Sequence, residues 1–468
     1  MPAFLAEQLS ESTGGRWTSE PAAAISGFSV DSRRIGPGQA FVALRTARRD
    51  GHDYLDSALS SGAVAALVSQ AVPGVPIAQL VVADPLAALQ AIARSHRRSF
   101  PGTVVGITGS AGKTSTKELV ALLLGGEAGA VLATEGNLNN HIGVALTLTR
   151  IDPSRHRFAV VEAGISAPGE MRVLASMIEP DVAITTLVGP AHLEELGGLE
   201  GVAREKAVLS AGARKGGLCI FPSACEAYAP FRELHGLESL VLENDEMPDA
   251  GLHEPGRAYF TVSQAPDSTS VSVEVGRFPP VGVTLKRVAA GMASNVALAI
   301  CAATRLGVRR DEVKRRMDLW SPAPLRGQWT DLHGRRTYLD CYNANPASMA
   351  DALAVFKAVA PASEPRAFVI GCMEELGEAA VRYHRELGAR LLLRPEDRAL
   401  VIGGHAEAVV EGALGSGAQP GQIEVVTSPE AVAILLSGFR GSVFVKGSRR
   451  YQLERAFVSA KQAEASHA

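Results

Sequence analysis

The chain carries almost no charge bias. Its 468 residues include 46 basic and 49 acidic side chains, for a formal charge of -3, so nothing in the balance marks a nucleic-acid surface. Cysteine is scarce. The five residues at 219, 225, 301, 341 and 372 form no C-x-x-C pair, and a chain this long needs no disulfide scaffold, which fits a reducing cytosol. No apolar run reaches membrane-spanning length; the longest candidate, Leu119 to Ala133, is broken by Gly125, Gly126 and Glu127. The opening stretch, Met1 to Gly15, contains Glu7 and Glu11 and lacks both a basic start and an unbroken apolar core, so it does not read as a signal peptide. What remains is an ordinary soluble composition, 46% hydrophobic and 20% charged, at a length that predicts two or three domains.

From about residue 25 onward, short β-branched runs alternate with Ala/Leu-rich helical stretches, the pattern of α/β layers. There is no short-period repeat, heptad or low-complexity tract. The first block holds a strand at Phe41 to Leu44, a helix at Tyr54 to Ser61, a strand at Ala63 to Val68 and a basic helix ending Arg94-Ser-His-Arg-Arg98. Phe100-Pro101-Gly102 punctuates the chain before the apolar strand Thr103 to Thr108, and Trp320-Ser-Pro-Ala-Pro324 follows a charged helix at Asp311 to Asp318. Boundaries are expected at both. The last block has strands at Thr337 to Asp340, Ala367 to Ile370, Ala399 to Ile402 and Ser442 to Val445, with helices at Ala347 to Ala358 and Ala379 to Leu393, which predicts a small doubly wound domain.

The sharpest motif is Thr108-Gly-Ser-Ala-Gly-Lys-Thr-Ser115, which follows a strand and opens a helix running to about Leu124. Such a turn points consecutive backbone N–H groups at phosphate oxygens and adds the positive end of a helix. Lys113 supplies a point charge for the terminal phosphates, and Thr114 stands where a hydroxyl serves Mg²⁺. Ile107 occupies the usual first glycine position. A phosphate loop alone leaves motor, switch, kinase and ligase open. Glu162 ends the strand Phe158 to Glu162, at the carboxyl edge where α/β sites lie. His192 follows the apolar run Val182 to Leu187, and by itself it reads as a packed or solvent-facing histidine.

With other segments in order, these residues resemble the Mur ligases, ATP-dependent amide-forming enzymes of peptidoglycan precursor synthesis. The segments are Asp31-Ser-Arg33, Phe41-Val-Ala-Leu44, Asp50-Gly-His52, the phosphate loop, Gly136-Asn-Leu-Asn-Asn-His-Ile-Gly143 and Gly189-Pro-Ala-His192. Later come Leu199-Glu-Gly-Val-Ala-Arg-Glu-Lys206, Asp340-Cys-Tyr-Asn-Ala-Asn-Pro346, Met373-Glu-Glu-Leu-Gly377 and Val445-Lys-Gly-Ser-Arg449. The resemblance covers essentially the whole chain and rests on the joint order. Tyr342-Asn-Ala-Asn-Pro-x-Ser-Met349 is typical of the branch that adds a D-alanyl-D-alanine dipeptide.

The resemblance implies three α/β domains: residues 1–100 binding the UDP substrate, a central ATP-binding, P-loop ATPase-like parallel-sheet domain at 101–322, and a Rossmann-like doubly wound ligase domain at 323–468. It implies ATP and Mg²⁺, two ions being expected, with UDP-MurNAc-tripeptide and D-alanyl-D-alanine as substrates, no nucleic acid and a monomeric cytoplasmic enzyme. Gly109, Ser110, Ala111, Gly112, Lys113, Thr114 and Ser115 would cradle the phosphates. Thr114, Glu162, His192 and Lys206 would hold metal, the last as a carbamate; without the family, Lys206 reads as a solvated charge. Asn295 would meet adenine from a helix start, Arg326 the γ-phosphate, and Asp340 the ribose, with Tyr342, Asn343 and Asn345 facing nucleotide or substrate. Lys113, Glu162, His192, Lys206 and Arg326 are thus the expected catalytic set. Ser32, Arg33, Asp50, Gly51 and His52 are candidates for the UDP part, Asn137, Asn139, Asn140 and His141 for the muramoyl peptide path, and Ser448 and Arg449 for the dipeptide or peptide carboxylate. Locally, Asp31-Ser-Arg33 and the Asn/Pro turn also read as simple turns.

Five positions depart from the pattern. Leu187 stands in place of a usual asparagine, Gly291-Met292 in place of a His-Asn pair, Cys372 in place of an aspartate and Thr46 in place of a glycine. The phosphate and metal residues are retained, so a divergent but active ligase is expected. The rivals are a superfamily ligase with a folate or other amino-acid acceptor, against which the UDP-grip residues argue, and a non-catalytic nucleotide- or precursor-binding paralogue.

Overall fold

The computed structural model describes residues 2–245 and 254–457. Three sheets follow one another along the chain. The first has five strands, in spatial order Arg16–Trp17, Ala78–Val81, Ala65–Val68, Gln39–Val42 and Gly27–Ser29, all parallel except the first. Its closing helix, Pro85–Ser99, starts well: Pro85 sits at the first helical position and Asp84 accepts the N–H groups of Leu86 and Ala87. The basic end of this helix is not a solvent face. Arg97 is fully buried and donates to the Ile178 and Glu179 carbonyls and to Asp181 Oδ2 at 2.8 Å, while the same carboxylate accepts the N–H of Val104. The first sheet's last helix is thereby anchored to the entry of the central one, an arrangement that contacts of both charge and hydrogen bond make costly to undo.

The central sheet has nine strands. Its first strand along the chain, Thr103–Thr108, lies between Val182–Thr185 and Phe158–Glu162, all parallel, with Val131–Ala133 on the outer edge. Chain order reverses across Thr103–Thr108, which makes its carboxyl end a topological switch point, where ligands enter open α/β sheets. Beyond Leu218–Pro222 and Glu238–Glu243 the sheet turns antiparallel through Arg257–Gln264, Ser268–Val275 and Val281–Lys286. Residues of Ser268–Val275 alternate buried and half-buried, the mark of a strand covered on one face. Helices Lys113–Leu123 and Ala290–Arg305 pack against this sheet and against each other.

The third sheet has six strands, ordered Gln328–Asp331, Arg336–Leu339, Ser442–Lys446, Arg366–Gly371, Arg398–Ile402 and Ile423–Val425, parallel except for the first. It is doubly wound around an aromatic core of Tyr338, Phe356, Phe368 and Phe444. Helix Pro346–Val359 begins at Asn345, whose side chain accepts the Ser348 N–H while the Ser348 hydroxyl takes the Asn345 N–H. No described helix is long and apolar enough to cross a membrane.

Candidate active site

At the switch point three strand ends converge. Gly112 has φ +82°, and a Cβ there would lie 2.5 Å from Asn295 Oδ1, so only glycine lets the loop lie against that amide. Asn295 is buried and sits in the second turn of Ala290–Arg305 rather than at its start. The Thr186 hydroxyl, directly after Val182–Thr185, donates to the carbonyls of Thr108 and Ala111 and braces the loop from behind. Ser110 is tied to Leu187 O through its N–H and to Gly189 through its hydroxyl. Leu187 thus serves the loop with its backbone carbonyl, which any side chain leaves available.

Lys113 folds back to donate to Gly109 O at 2.8 Å. Burial pulls its ammonium pKa down, Glu162 opposes this, and Arg326 adds to it, the profile of a cation waiting for anionic oxygen. Glu162 is 2% exposed. Its Oε1 accepts from Asn139 Nδ2 at 2.8 Å, while Oε2 is buried with no hydrogen-bond partner among the described residues. A carboxylate oxygen in that position is costly unless a cation takes it, and a hard divalent ion prefers such oxygen. The donors present therefore fit Mg²⁺.

From the third sheet's side, Arg326 Nη2 donates to Thr114 Oγ1 at 2.9 Å, and its guanidinium lies 4.0 Å over the Tyr342 ring. Asn345 Nδ2 reaches Ser110 O at 3.3 Å. Asp340 is held by Lys446, whose ammonium donates to its Oδ2 at 2.7 Å and also to the carbonyls of Asp340 and Asn343. Burial raises the Asp340 pKa and Lys446 resists the rise. The cavity between the two sheets, about 570 Å³, is lined by Ser110 to Ser115, Asn139, Glu162, Asn295, Arg326, Asp340, Tyr342, Asn343 and Asn345.

The other expected residues lie outside this lining. Lys206 is 2% exposed in the helix Leu199–Ala211 and, among the described residues, makes no hydrogen bond or ion pair. Burial depresses its pKa far below the usual lysine value, Lys113 adds to the effect, and Glu205 opposes it. The solvated reading of this lysine is therefore wrong. His192, at φ +52°, has Nδ1 2.5 Å from Glu375 Oε2 of the third sheet's side. In the first unit, Arg33 is exposed and paired with Asp31, and Ser32 is buried against Ser57. The polar atoms of Asp50 and His52 serve the fold: Asp50 accepts from Arg45 and His52, and His52 Nε2 accepts the Ser69 N–H. Asn140 Oδ1 accepts the N–H groups of Ile142 and Gly143 at the entry to helix Gly143–Thr149, Ser448 caps the next turn, and Arg449 pairs with Glu454.

Sequence reasoning missed Lys446, Asp351, Glu375 and Thr186. Lys446 ends a buried strand, where a lysine is out of place unless paired, and it stands inside a segment already singled out for Ser448 and Arg449. Glu375 likewise stands inside the singled-out segment Met373 to Gly377, whereas Asp351 carries no comparable local signal.

A phosphate loop at a switch point, a buried carboxylate beside it with one oxygen unpartnered, and an arginine delivered from a second α/β unit define an ATP-using enzyme whose site is split between domains. Residues 24–97 match the model of the Mur ligase family catalytic domain, 107–303 the Mur ligase middle domain, and 325–449 the Mur ligase glutamate ligase domain. The chain is 31% identical over 401 residues to the UDP-N-acetylmuramoyl-tripeptide–D-alanyl-D-alanine ligase of Bacillus subtilis, covering 83% of this chain and 82% of the relative. It is 30% identical over 391 residues to that of Escherichia coli K12, covering 82% and 83%. Among solved structures, MurF from Acinetobacter baumannii superposes with a TM-score of 0.85 at 28% identity, covering 97% of this chain and 98% of the other. MurF from Thermotoga maritima in complex with ADP gives 0.76 at 26%, covering 94% and 98%. The chain belongs to the Mur ligase family.

Proposed function

We propose that this protein joins D-alanyl-D-alanine to UDP-MurNAc-tripeptide at the expense of ATP, forming the UDP-MurNAc-pentapeptide of peptidoglycan synthesis. The observation that carries the reading is the meeting of Thr114, Glu162 and Arg326 at one phosphate loop, in a chain whose relatives bear that activity in their names. A carboxylate oxygen of the tripeptide attacks the γ-phosphorus, the bond to the β-phosphate oxygen breaks, and ADP leaves with an acyl phosphate formed. The dipeptide amine then adds to the acyl carbon, and the tetrahedral intermediate expels inorganic phosphate to leave the amide.

Carboxylate and triphosphate repel each other, so the first step needs positive charge between them. Arg326 supplies a permanent cation, and the Lys113 ammonium a second one that phosphate oxygens would stabilise. Thr114 Oγ1 and Glu162 Oε2 are the oxygens that would hold Mg²⁺, which neutralises the phosphate oxygens when bound. Lys206 is a buried amine with no competing partner, suited to add to CO₂ with loss of a proton; the resulting carbamate offers a hard cation two further oxygens. His192, with Glu375 Oε2 beside its Nδ1, would offer the lone pair of Nε2 to a second cation, the carboxylate–histidine arrangement typical around metals. Asp340, oriented by Lys446, accepts from ribose hydroxyls. Residues 1–100 form the UDP-binding domain, 101–322 the ATP-binding domain and 323–468 the closing domain, and the enzyme acts as a cytoplasmic monomer. The test is phosphate release from ATP: it requires the UDP-tripeptide and the dipeptide together, and release indifferent to both contradicts the assignment.

A further inference from the structure

Two positions that look unrelated in sequence meet across the domain junction. Asp351, on the second turn of helix Pro346–Val359, places Oδ2 2.8 Å from the N–H of Gly291, at the start of helix Ala290–Arg305. That helix leans Asn295 on the phosphate loop, and Gly291, Met292 and Asp351 all line the nucleotide cavity. A Cβ on residue 291 would lie 2.3 Å from Asp351 Oδ2, so any side chain there would push the carboxylate tip off the Gly291 N–H. The positive end of the helix and its unpaired first N–H groups favour an anion at this place.

We propose that Asp351 is a positioning residue for nucleotide binding: it latches the C-terminal domain to the first turn of the Asn295 helix, and Gly291 exists to admit it. The pair accounts for the departure at 291, where the family's usual histidine would displace the aspartate from the helix N–H. Burial raises the Asp351 carboxyl pKa while the Gly291 N–H opposes the rise, as expected of a carboxylate drawn out of water to serve one donor. Asn345, six residues before the latch, holds Ser110 O, so one helix of the C-terminal domain touches both the loop and the helix behind it.

The inference rests on ATP being the nucleotide, but not on the identity of the other substrates. It is tested by titrating the full-length protein with a non-hydrolysable ATP analogue and Mg²⁺. Asp351→Ala and Gly291→Ala should each weaken binding about tenfold, the scale of one hydrogen bond to a charged group. Alanine is otherwise the better helix former at 291, so loss in Gly291→Ala reports the collision. The double variant should bind no worse than Asp351→Ala alone, because the added methyl then meets empty space. Multiplying effects in the double variant, or undiminished binding in Gly291→Ala, would overturn the latch. Failure of wild-type turnover with the muramoyl substrates, with the analogue still bound, would instead refute the proposed substrates.

Discussion

Arg326 donates to the hydroxyl of Thr114 from across the domain junction, at 2.9 Å, with its guanidinium stacked on Tyr342. The residue that follows the phosphate-loop lysine is thus touched by a cation the central domain does not own. Catalysis becomes conditional on the C-terminal domain being docked, which keeps ATP from being spent in its absence. Arg326→Ala should lower kcat about 100- to 1,000-fold, as loss of one preorganised charge-stabilising donor does. Arg326→Lys should recover little, because a point charge cannot both stack on Tyr342 and reach Thr114. Steady-state kinetics at saturating ATP measure both.

Lys206→Ala should reduce turnover by on the order of 1,000-fold, the scale of lost charge stabilisation in the transition state. Small carboxylic acids such as formate or acetate should restore part of it, by standing in for the carbamate. Wild-type rates in Lys206→Ala, or a loss no carboxylic acid relieves, would count against that role.

Glu162→Gln keeps the shape and the Asn139 contact while removing the charge beside Oε2. The Mg²⁺ concentration for half-maximal activity should rise at least about tenfold and kcat should fall about 100-fold. An unchanged Mg²⁺ requirement would remove Glu162 from the metal site.

Stability in the C-terminal domain should depend on Asp397. This carboxylate is fully buried and is gripped by Arg366 at 2.5 Å and by Arg394 at 3.0 Å. Burial alone would raise its pKa, but the arginine hydrogen bonds outweigh burial and hold it below the ordinary 3.8. Its contribution is therefore complete above that value and is lost as pH falls through the lower folded one. Asp397→Asn should cost about 3 kcal/mol at neutral pH, since Arg366 is left without its counter-charge. Its deficit relative to wild type should shrink in acid, read by denaturant unfolding at pH 7 and pH 3.

Strands Thr103–Thr108 and Phe158–Glu162 were legible because a buried parallel strand is a continuous apolar run, and the phosphate loop because its backbone demands glycine at fixed spacings. Helix Leu199–Ala211 was legible too, but not that Lys206 faces inward: burial is set by what packs on the helix, a tertiary fact. Arg97 taught the same lesson, since its partners lie some eighty residues away. The antiparallel strands Arg257–Gln264 to Val281–Lys286 went unread although Ser268–Val275 alternates cleanly. Asp50-Gly-His52 was singled out by resemblance, yet its polar groups hold one another and Ser69. Glu375 lies in a segment the sequence singled out, but its pairing with His192 was not legible, and Asp351 carries no pattern, because each acts on a residue of another domain.

The most direct measurement is phosphate release from ATP and Mg²⁺ with UDP-MurNAc-tripeptide, with and without D-alanyl-D-alanine, the product being weighed by mass spectrometry. The account predicts release only when both substrates are present, together with a UDP-MurNAc-pentapeptide product. No release from a protein that demonstrably binds ATP and the UDP-tripeptide would contradict it and leave a binding protein in the ligase's fold.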